Sequence, residues 1–431
     1  MEKRTERQEM ISLSFITPEE MKARVKGRDL YLWGASIVGC GICRALERNG
    51  ISPAGFIDSS SRMQGTVALG YKVHRPDEIL KKEPARKSLP FIVITSGHYE
   101  HEIMAECEKN GFVKDRDFIS ARTLCPLDPS VDISGVCNLH CISCPRGNMR
   151  KQPPAGFITA ATYARVLDKL LRELPFAGNI QLYAWGEPLL NPEVAQIIKT
   201  TVDRKLLCAI STNLNVRTDF ADVIRAKPDW IKLSVSGYGG EHYEITHTGG
   251  KWAVLLSNMK KLSEYRRRFN PQMYVEVNYH LYKHNIGEEY DRMQALCNEL
   301  GFVFRPNNAY LYSLDNIMKY REGGELTGEA RQTLDMLLLD IDEGIARAET
   351  QKHLPCAEER CFPINWNLNV RFCGAYFEPV VAGNYLETPL EEIVRRRNES
   401  PFCKRCMSLA LHRFTGVYLE EKYINHEAAV A

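Results

Sequence analysis

Residues 131–147 read VDISGVCNLHCISCPRG and bring Cys137, Cys141 and Cys144 within eight positions, with three residues between the first pair and two between the second. Thiolates are metal ligands and nucleophiles, and three of them can hold three irons of a cubic 4Fe–4S cluster while the fourth iron stays without a protein ligand. The open corner is then the reactive feature. A zinc site completed by His140 or by a distant cysteine would use the same donor types. The chain has fourteen cysteines. In a reducing compartment clustered cysteines bind metal or react, and scattered ones pack as small hydrophobes.

The elements around the loop say where it must sit. From Val131 to about Pro306 the chain alternates β-rich runs with helical segments, the runs being VDIS, NIQLYAW, LCAIST, WIKLSVS, MYVEVNYHL and FVFRP. Between the first two, YARVLDKLLREL repeats apolar residues at Val166, Leu167, Leu170 and Leu171, one face of a helix. Six βα units predict a parallel sheet curved into part of a barrel. Active sites of such sheets lie at the carboxyl ends of the strands, and Cys137 falls just past the end of the first.

The spacing CNLHCISC resembles the CxxxCxxC signature of radical S-adenosylmethionine (radical SAM) enzymes. The resemblance implies that Cys137, Cys141 and Cys144 ligate a 4Fe–4S cluster whose open iron chelates the amino and carboxylate groups of S-adenosylmethionine. It implies reductive cleavage to methionine and a 5′-deoxyadenosyl radical, which abstracts hydrogen from a substrate. Ser143 stands where that family commonly has an aromatic residue. Gly186, Glu187 and Pro188 resemble its GGEP motif, with Trp185 replacing the first glycine. By that likeness Gly186 and Glu187 contact the cosubstrate's amino group, and Ser211, Asn213 and Ser234, in STN and LSVSG, approach its ribose and carboxylate.

Five cysteines fall between Cys356 and Cys406. A cysteine before a strand, one after it, GNYLETPLEEI and a closing CxxC resemble a shortened SPASM or twitch module. That likeness implies one auxiliary 4Fe–4S cluster on Cys361, Cys373, Cys403 and Cys406, with Cys356 as the alternative ligand. A structural zinc would accept the same four thiols.

The amino-terminal part, DLYLWGASIVGCGICRALERNG, reads as a strand, a glycine turn and a helix, with further strands at AGFID and FIVITS. Gly34, Ser36 and Gly39 occupy the positions of a dinucleotide fingerprint, and Asp58 lies 24 positions after Gly34, where an acidic residue bonds a ribose hydroxyl. The segment resembles the small Rossmann-like domains of sugar-modifying and polysaccharide-biosynthesis proteins, which implies a nucleotide-linked sugar; a docking surface without a ligand is the other reading. Cys40 and Cys43 read as packing residues of the helix, and Cys208 and Cys297 as core.

The expected fold class is α/β: a partial (βα)6 TIM-like barrel at 125–327, a Rossmann-like domain at 1–124, and a helical linker with a SPASM/twitch-like module at 328–431. With 56 basic and 54 acidic residues the chain has no charge footprint for nucleic acid or an anionic membrane. The charged first residues lack an apolar signal segment and no run reaches about 20 apolar residues, so a cytoplasmic protein is expected. The expected partners are a small-molecule substrate, nucleotide-linked or otherwise activated carbohydrate, and a flavodoxin- or ferredoxin-type electron donor. The net reaction would be an oxidation, epimerisation or elimination. A radical SAM/SPASM peptide- or protein-modifying maturase is the first alternative and a zinc-binding interaction protein the second. No catalytic acid or base is singled out: His242, Tyr243, His247, Asn278 and His280 stand near the expected barrel mouth, and each also suits packing.

Overall fold

The computed structural model describes residues 13, 15–81, 88–97, 99–150 and 155–419. The charged leader and the last twelve residues of the carboxyl-terminal region lie outside them. Among the described residues no helix is long and apolar enough to cross a membrane.

The amino-terminal sheet has six strands: β1 (Leu30–Trp33), β2 (Gly55–Ile57), β3 (Val67–Ala68), β4 (Tyr71–His74), β5 (Phe91–Ile94) and β6 (Phe118–Ser120). Their order is β3-β4-β2-β1-β5-β6, with β3 antiparallel and the others parallel. All four residues of β1 are buried, as expected of a central parallel strand covered on both faces. The chain leaves β1 through Gly34, whose φ of +118° suits glycine, and enters the helix Ile37–Arg48.

The second sheet begins with β7 (Asp128–Val131), β8 (Asn179–Gln181), β9 (Leu207–Thr212), β10 (Trp230–Val235), β11 (Tyr274–Leu281) and β12 (Val303–Asn308). These six run parallel in chain order, with helices between them, as a partial barrel requires. The helix Ala160–Glu173 buries Val166, Leu167 and Leu170 on the predicted face.

Two details differ from the sequence reading. The first barrel strand is Asp128–Val131, which takes in only the first residue of the VDIS run. The carboxyl-terminal strands also extend the barrel sheet. Strand β13 (Cys361–Ile364) pairs parallel with β7, Cys361 opposite Asp128 and Ile364 opposite Val131, and β14 (Val370–Arg371) and β15 (Val380–Ala382) follow antiparallel. An ion pair from Arg360 to Asp128 at 2.9 Å sets that register. The added strand covers what would be an open sheet edge.

One apolar core runs from the first sheet into the barrel. Helix Ile37–Arg48 supplies the junction. A Cβ on Gly178 would lie 2.4 Å from the carbonyl carbon of Gly41, so two glycines let the backbones touch. Arg44 pairs with Asp229 at 2.6 Å, and the Arg48 guanidinium donates to the carbonyls of Pro175 and Ala177 at 2.8 and 2.7 Å. These residues precede β8 and β10, so the first sheet docks at the amino-terminal end of the barrel, opposite the cysteine loop.

Candidate functional site

The cysteine loop is built against the turn that follows β8. A Cβ on Gly186 would fall 1.7 Å from the Ser134 carbonyl oxygen, and the Glu187 amide donates to the Val136 carbonyl at 2.8 Å. The loop then coils tightly: the Cys144 amide donates to the Cys141 carbonyl at 3.0 Å, and a Cβ on Gly147 would meet that carbonyl at 2.3 Å. Its outer side is pinned by the Tyr312 amide to the Ser143 carbonyl at 3.1 Å and by the His140 amide to the Thr248 carbonyl at 2.9 Å.

The three thiols sit within electrostatic reach of one another. Burial pushes Cys137 up to about 12, with the charge of Glu187 adding to it. Burial also raises Cys141, and the neighbouring Cys144 and Cys137 raise it further. Burial raises Cys144 as well. Such thiols stay protonated near neutrality on their own and lose their protons when a cationic cluster replaces them as the charge balance. An all-sulfur donor set on one tight loop fits an iron–sulfur cube.

Glu187 is buried and serves as a strut. Its Oε1 accepts from Thr212 Oγ1 at 2.6 Å and from the Leu189 amide at 3.0 Å, while Oε2 accepts from the Asn213 amide at 2.8 Å. Burial raises its carboxyl to about 7 against those three hydrogen bonds. The strut carries Asn213 to the cysteine loop, where Asn213 Nδ2 reaches Cys137 Sγ at 3.7 Å and Asn138 Oδ1 at 3.1 Å. Ser211 Oγ and Ser234 Oγ lie 3.3 Å apart on β9 and β10. Gly186, Glu187 and Asn213 therefore converge on Cys137, and Ser211 and Ser234 stand beside each other below them.

Two residues not singled out from the sequence complete this corner. Arg146 Nε donates to the Trp185 carbonyl at 2.5 Å and its Nη2 to the Gly135 carbonyl at 2.7 Å, tying the two loops together. Asp132 accepts from the Trp185 amide at 3.0 Å. Asp132 had a signal, a polar residue alternating between Val131 and Ile133; Arg146 had only its nearness to Cys144.

A small cavity in the carboxyl-terminal region is lined by Cys356, Cys373, Cys403 and Cys406, with Arg397 and His412 beside them. Cys361 does not line it; its thiol donates to Glu358 Oε2 at 3.0 Å. Burial raises Cys373 to about 12 and Cys356 to about 11, and it raises Cys403 and Cys406 too. The charges of Cys373, Cys356 and Cys403 push Cys406 further up, so these four sulfurs are mutual neighbours. Cys361 begins β13, which pairs with β7, and its thiol also lies within electrostatic reach of Cys373. Among the described residues no three His, Cys, Asp or Glu side chains converge closely enough to hold a single ion.

The amino-terminal fingerprint forms a tight turn. A Cβ on Gly39 would fall 1.9 Å from the Gly34 carbonyl oxygen, so the helix presses on the loop. Asp58 Oδ2 accepts from the Ala35 amide at 2.9 Å and Oδ1 from the Ser60 amide at 2.8 Å, so each oxygen already bonds the protein's own backbone. The side chain of Ser36 makes no capping bond. Cys43, Cys208 and Cys297 are buried and Cys40 is half-buried. At the barrel mouth His242 Nδ1 meets the His284 carbonyl at 2.7 Å, Tyr243 stacks on His247 with centroids 4.6 Å apart, and Asn278 Nδ2 bonds His280 Nε2 at 2.9 Å.

Residues 131–293, which hold the cysteine loop and the four barrel strands β8 to β11, match the Radical SAM superfamily. The barrel is a radical SAM domain. Members of that superfamily are enzymes that use a 4Fe–4S cluster and S-adenosylmethionine. The AdoMet-dependent heme synthase of Methanosarcina barkeri (strain Fusaro / DSM 804) is 26% identical over 175 residues, 40% of this chain and 47% of that protein. The chain thus matches about half the length of this curated relative. Among solved structures, Streptococcus suis SuiB bound to S-adenosylmethionine is similar at a TM-score of 0.43 and 15% identity, over 70% of this chain and 77% of that one. Native anSMEcpe with bound AdoMet is similar at 0.42 and 13%, over 67% and 89%. The radical SAM domain places its cysteine loop at the carboxyl ends of β7 and β8, the side of the barrel away from the docked first sheet.

Proposed function

We propose that the protein is a radical SAM enzyme acting on a carbohydrate or similarly polyhydroxylated small molecule, nucleotide-linked or otherwise activated. The observation that supports the radical SAM reading most is Asn213, held by Glu187, against the thiol of Cys137, with Gly186 packed on Ser134 and Val136 of the same loop. Cys137, Cys141 and Cys144 would hold a 4Fe–4S cluster, which when bound would supply the electron for reductive cleavage of S-adenosylmethionine. Around it the chain's own residues position and shield. Gly186 lets the turn after β8 lie on the cysteine loop, exposing backbone carbonyls to a cosubstrate ammonium. Glu187 holds Asn213 against Cys137, and Ser211 and Ser234 offer hydroxyls to a ribose.

In the carboxyl-terminal region Cys356, Cys373, Cys403 and Cys406 ligate an auxiliary 4Fe–4S cluster. The fingerprint turn of the first sheet lies away from the cysteine loop, so the amides that open helix Ile37–Arg48 would serve a separate nucleotide ligand. The electron comes from a flavodoxin- or ferredoxin-type protein in the cytoplasm.

Anaerobic reconstitution with iron, sulfide and dithionite, followed by assay for 5′-deoxyadenosine, tests the reading. The wild type is expected to form it and the Cys137→Ala variant to form none. A chain that binds zinc and never cleaves S-adenosylmethionine would be the interaction protein instead. Deuterium transfer into 5′-deoxyadenosine from a labelled nucleotide sugar, and not from a labelled peptide, separates the carbohydrate substrate from the maturase reading.

A further inference from the structure

The middle of the barrel holds charged groups that the cysteine loop does not use. On β10 the residues Ile231, Leu233 and Val235 belong to the apolar core, so Lys232 and Ser234 between them project from the opposite face, into the lumen. Val275 and Val277 put Glu276 and Asn278 of β11 on that face in the same way. Register sets Lys232 level with Ser211 on β9 and with Glu276 on β11. Ser211, Lys232, Ser234, Asn278 and His280 are each partly exposed, so this face of the sheet meets solvent inside the barrel.

Lys232 makes no hydrogen bond or ion pair among the described residues, although an ammonium has three protons to donate. Burial holds it below the ordinary lysine value, and the charge of Glu276 acts against that shift. Burial raises the Glu276 carboxyl, while Lys232, Arg305 and Tyr274 act in the opposite direction. Glu276 also adds to the upward push of burial on the hydroxyl of Tyr183, which follows β8, three strands away in the sheet. Tyr183 and Glu276 therefore face each other across the lumen.

The charges there select the ligand. Lys232 and Arg305 bring two cations and Glu276 one carboxylate, while burial keeps His280 and the hydroxyls of Tyr183 and Tyr274 neutral. One positive charge is left over in a partly desolvated space, where a charge without a partner is costly. An oxyanion supplies that partner, whereas an ammonium would add to the surplus. The place also suits a substrate. Lys232 lies two positions before Ser234, about 7 Å down the strand from the hydroxyl read as facing the cosubstrate's ribose.

We propose that the barrel lumen binds the substrate through an anionic oxygen group, a carboxylate or a phosphate, with Lys232 as its cation. The assignment rests on the carbohydrate reading above and narrows it to acidic or phosphorylated sugars.

The test is equilibrium dialysis of the anaerobically reconstituted full-length protein with glucose 1-phosphate, glucuronate and the neutral myo-inositol. Binding of an anionic probe more tightly than myo-inositol, weakened about tenfold or more by Lys232→Met, supports the site. Glucose 1-phosphate alone would identify a phosphate, and glucuronate alone a carboxylate. Should Lys232→Met not fold, the wild type decides: acetic anhydride labelling of Lys232, mapped by mass spectrometry, is expected to fall about tenfold at a saturating anionic probe and to ignore myo-inositol. Unchanged labelling, a loss on Lys232→Met of less than about tenfold, or myo-inositol binding as tightly as both anions overturns the site and leaves the carbohydrate reading in place. No binding of any of the three up to about 10 mM overturns both.

Discussion

Gly186 and Ser134 touch backbone to backbone: a Cβ on Gly186 would lie 1.7 Å from the Ser134 carbonyl oxygen. That contact sets how closely the turn after β8 lies on the cysteine loop. Because the obstructing atom is backbone, a methyl group cannot be absorbed by a side-chain movement. Gly186→Ala is expected to lower stability by about 1–3 kcal/mol and to abolish S-adenosylmethionine binding. Urea unfolding and equilibrium dialysis with labelled cosubstrate check this; wild-type values in both would mean the contact does not shape the site.

The cavity lined by Cys356, Cys373, Cys403 and Cys406 excludes Cys361. Reconstituted wild-type protein should therefore carry about eight irons per chain, and the Cys403→Ala/Cys406→Ala variant about four. Cys356→Ala should also fall to about four, while Cys361→Ala stays near eight. Iron and sulfide analysis of anaerobic samples reads the difference, and a loss on Cys361→Ala with none on Cys356→Ala would reverse the ligand assignment.

The first sheet meets the barrel through Gly41 and Gly178, whose backbones leave no room for a Cβ on Gly178. Gly178→Val is expected to separate the two sheets and expose the helix Ile37–Arg48 to protease. Arg44→Ala should act in the same direction and cost about 1–3 kcal/mol, since it strips Asp229 of a partly buried partner. Limited proteolysis followed by mass spectrometry identifies the cleavage. Digestion patterns that match the wild type would show that this junction does not hold the sheets together.

A buried histidine, His247, and a half-buried one, His280, predict acid sensitivity. Burial holds His247 down to about 4, and burial together with the nearby His247 holds His280 down to about 3, both from an ordinary 6.5. Each folded-state value lies below the unfolded one, so the unfolded chain takes up protons first as pH falls through 6.5. Their stabilisation is therefore complete above that pH and is lost progressively toward pH 4 and below. Between pH 7 and pH 5 each histidine should remove about 2 kcal/mol of stability. Urea titrations at both pH values check the slope, which the His247→Asn/His280→Asn variant should flatten.

Much of the architecture was legible because it depends on local patterns. Apolar β-rich runs marked the barrel strands β8 to β12 in order, and a period near 3.6 marked the buried face of Ala160–Glu173. The three-cysteine loop was legible for the same reason: its spacing is short enough for one turn of chain to bring the thiols together. Asp128–Val131 was missed as a strand because proline and aspartate signal a turn locally, whereas pairing to strands on both sides overrides that preference.

What the sequence alone determined is the set of chemical groups and the loops that carry them: three thiols after the first strand, a Gly-Glu-Pro turn after the second, and a cysteine-rich tail. Only the tertiary structure decided which groups meet. It brought Cys356 to the cavity with Cys373, Cys403 and Cys406, and it committed the carboxylate of Glu187 to Thr212 and Asn213. The physical reason is range. Spacing and periodicity report contacts made within a few turns of chain, while the partner of a buried thiol or carboxylate is chosen by packing between segments far apart in sequence.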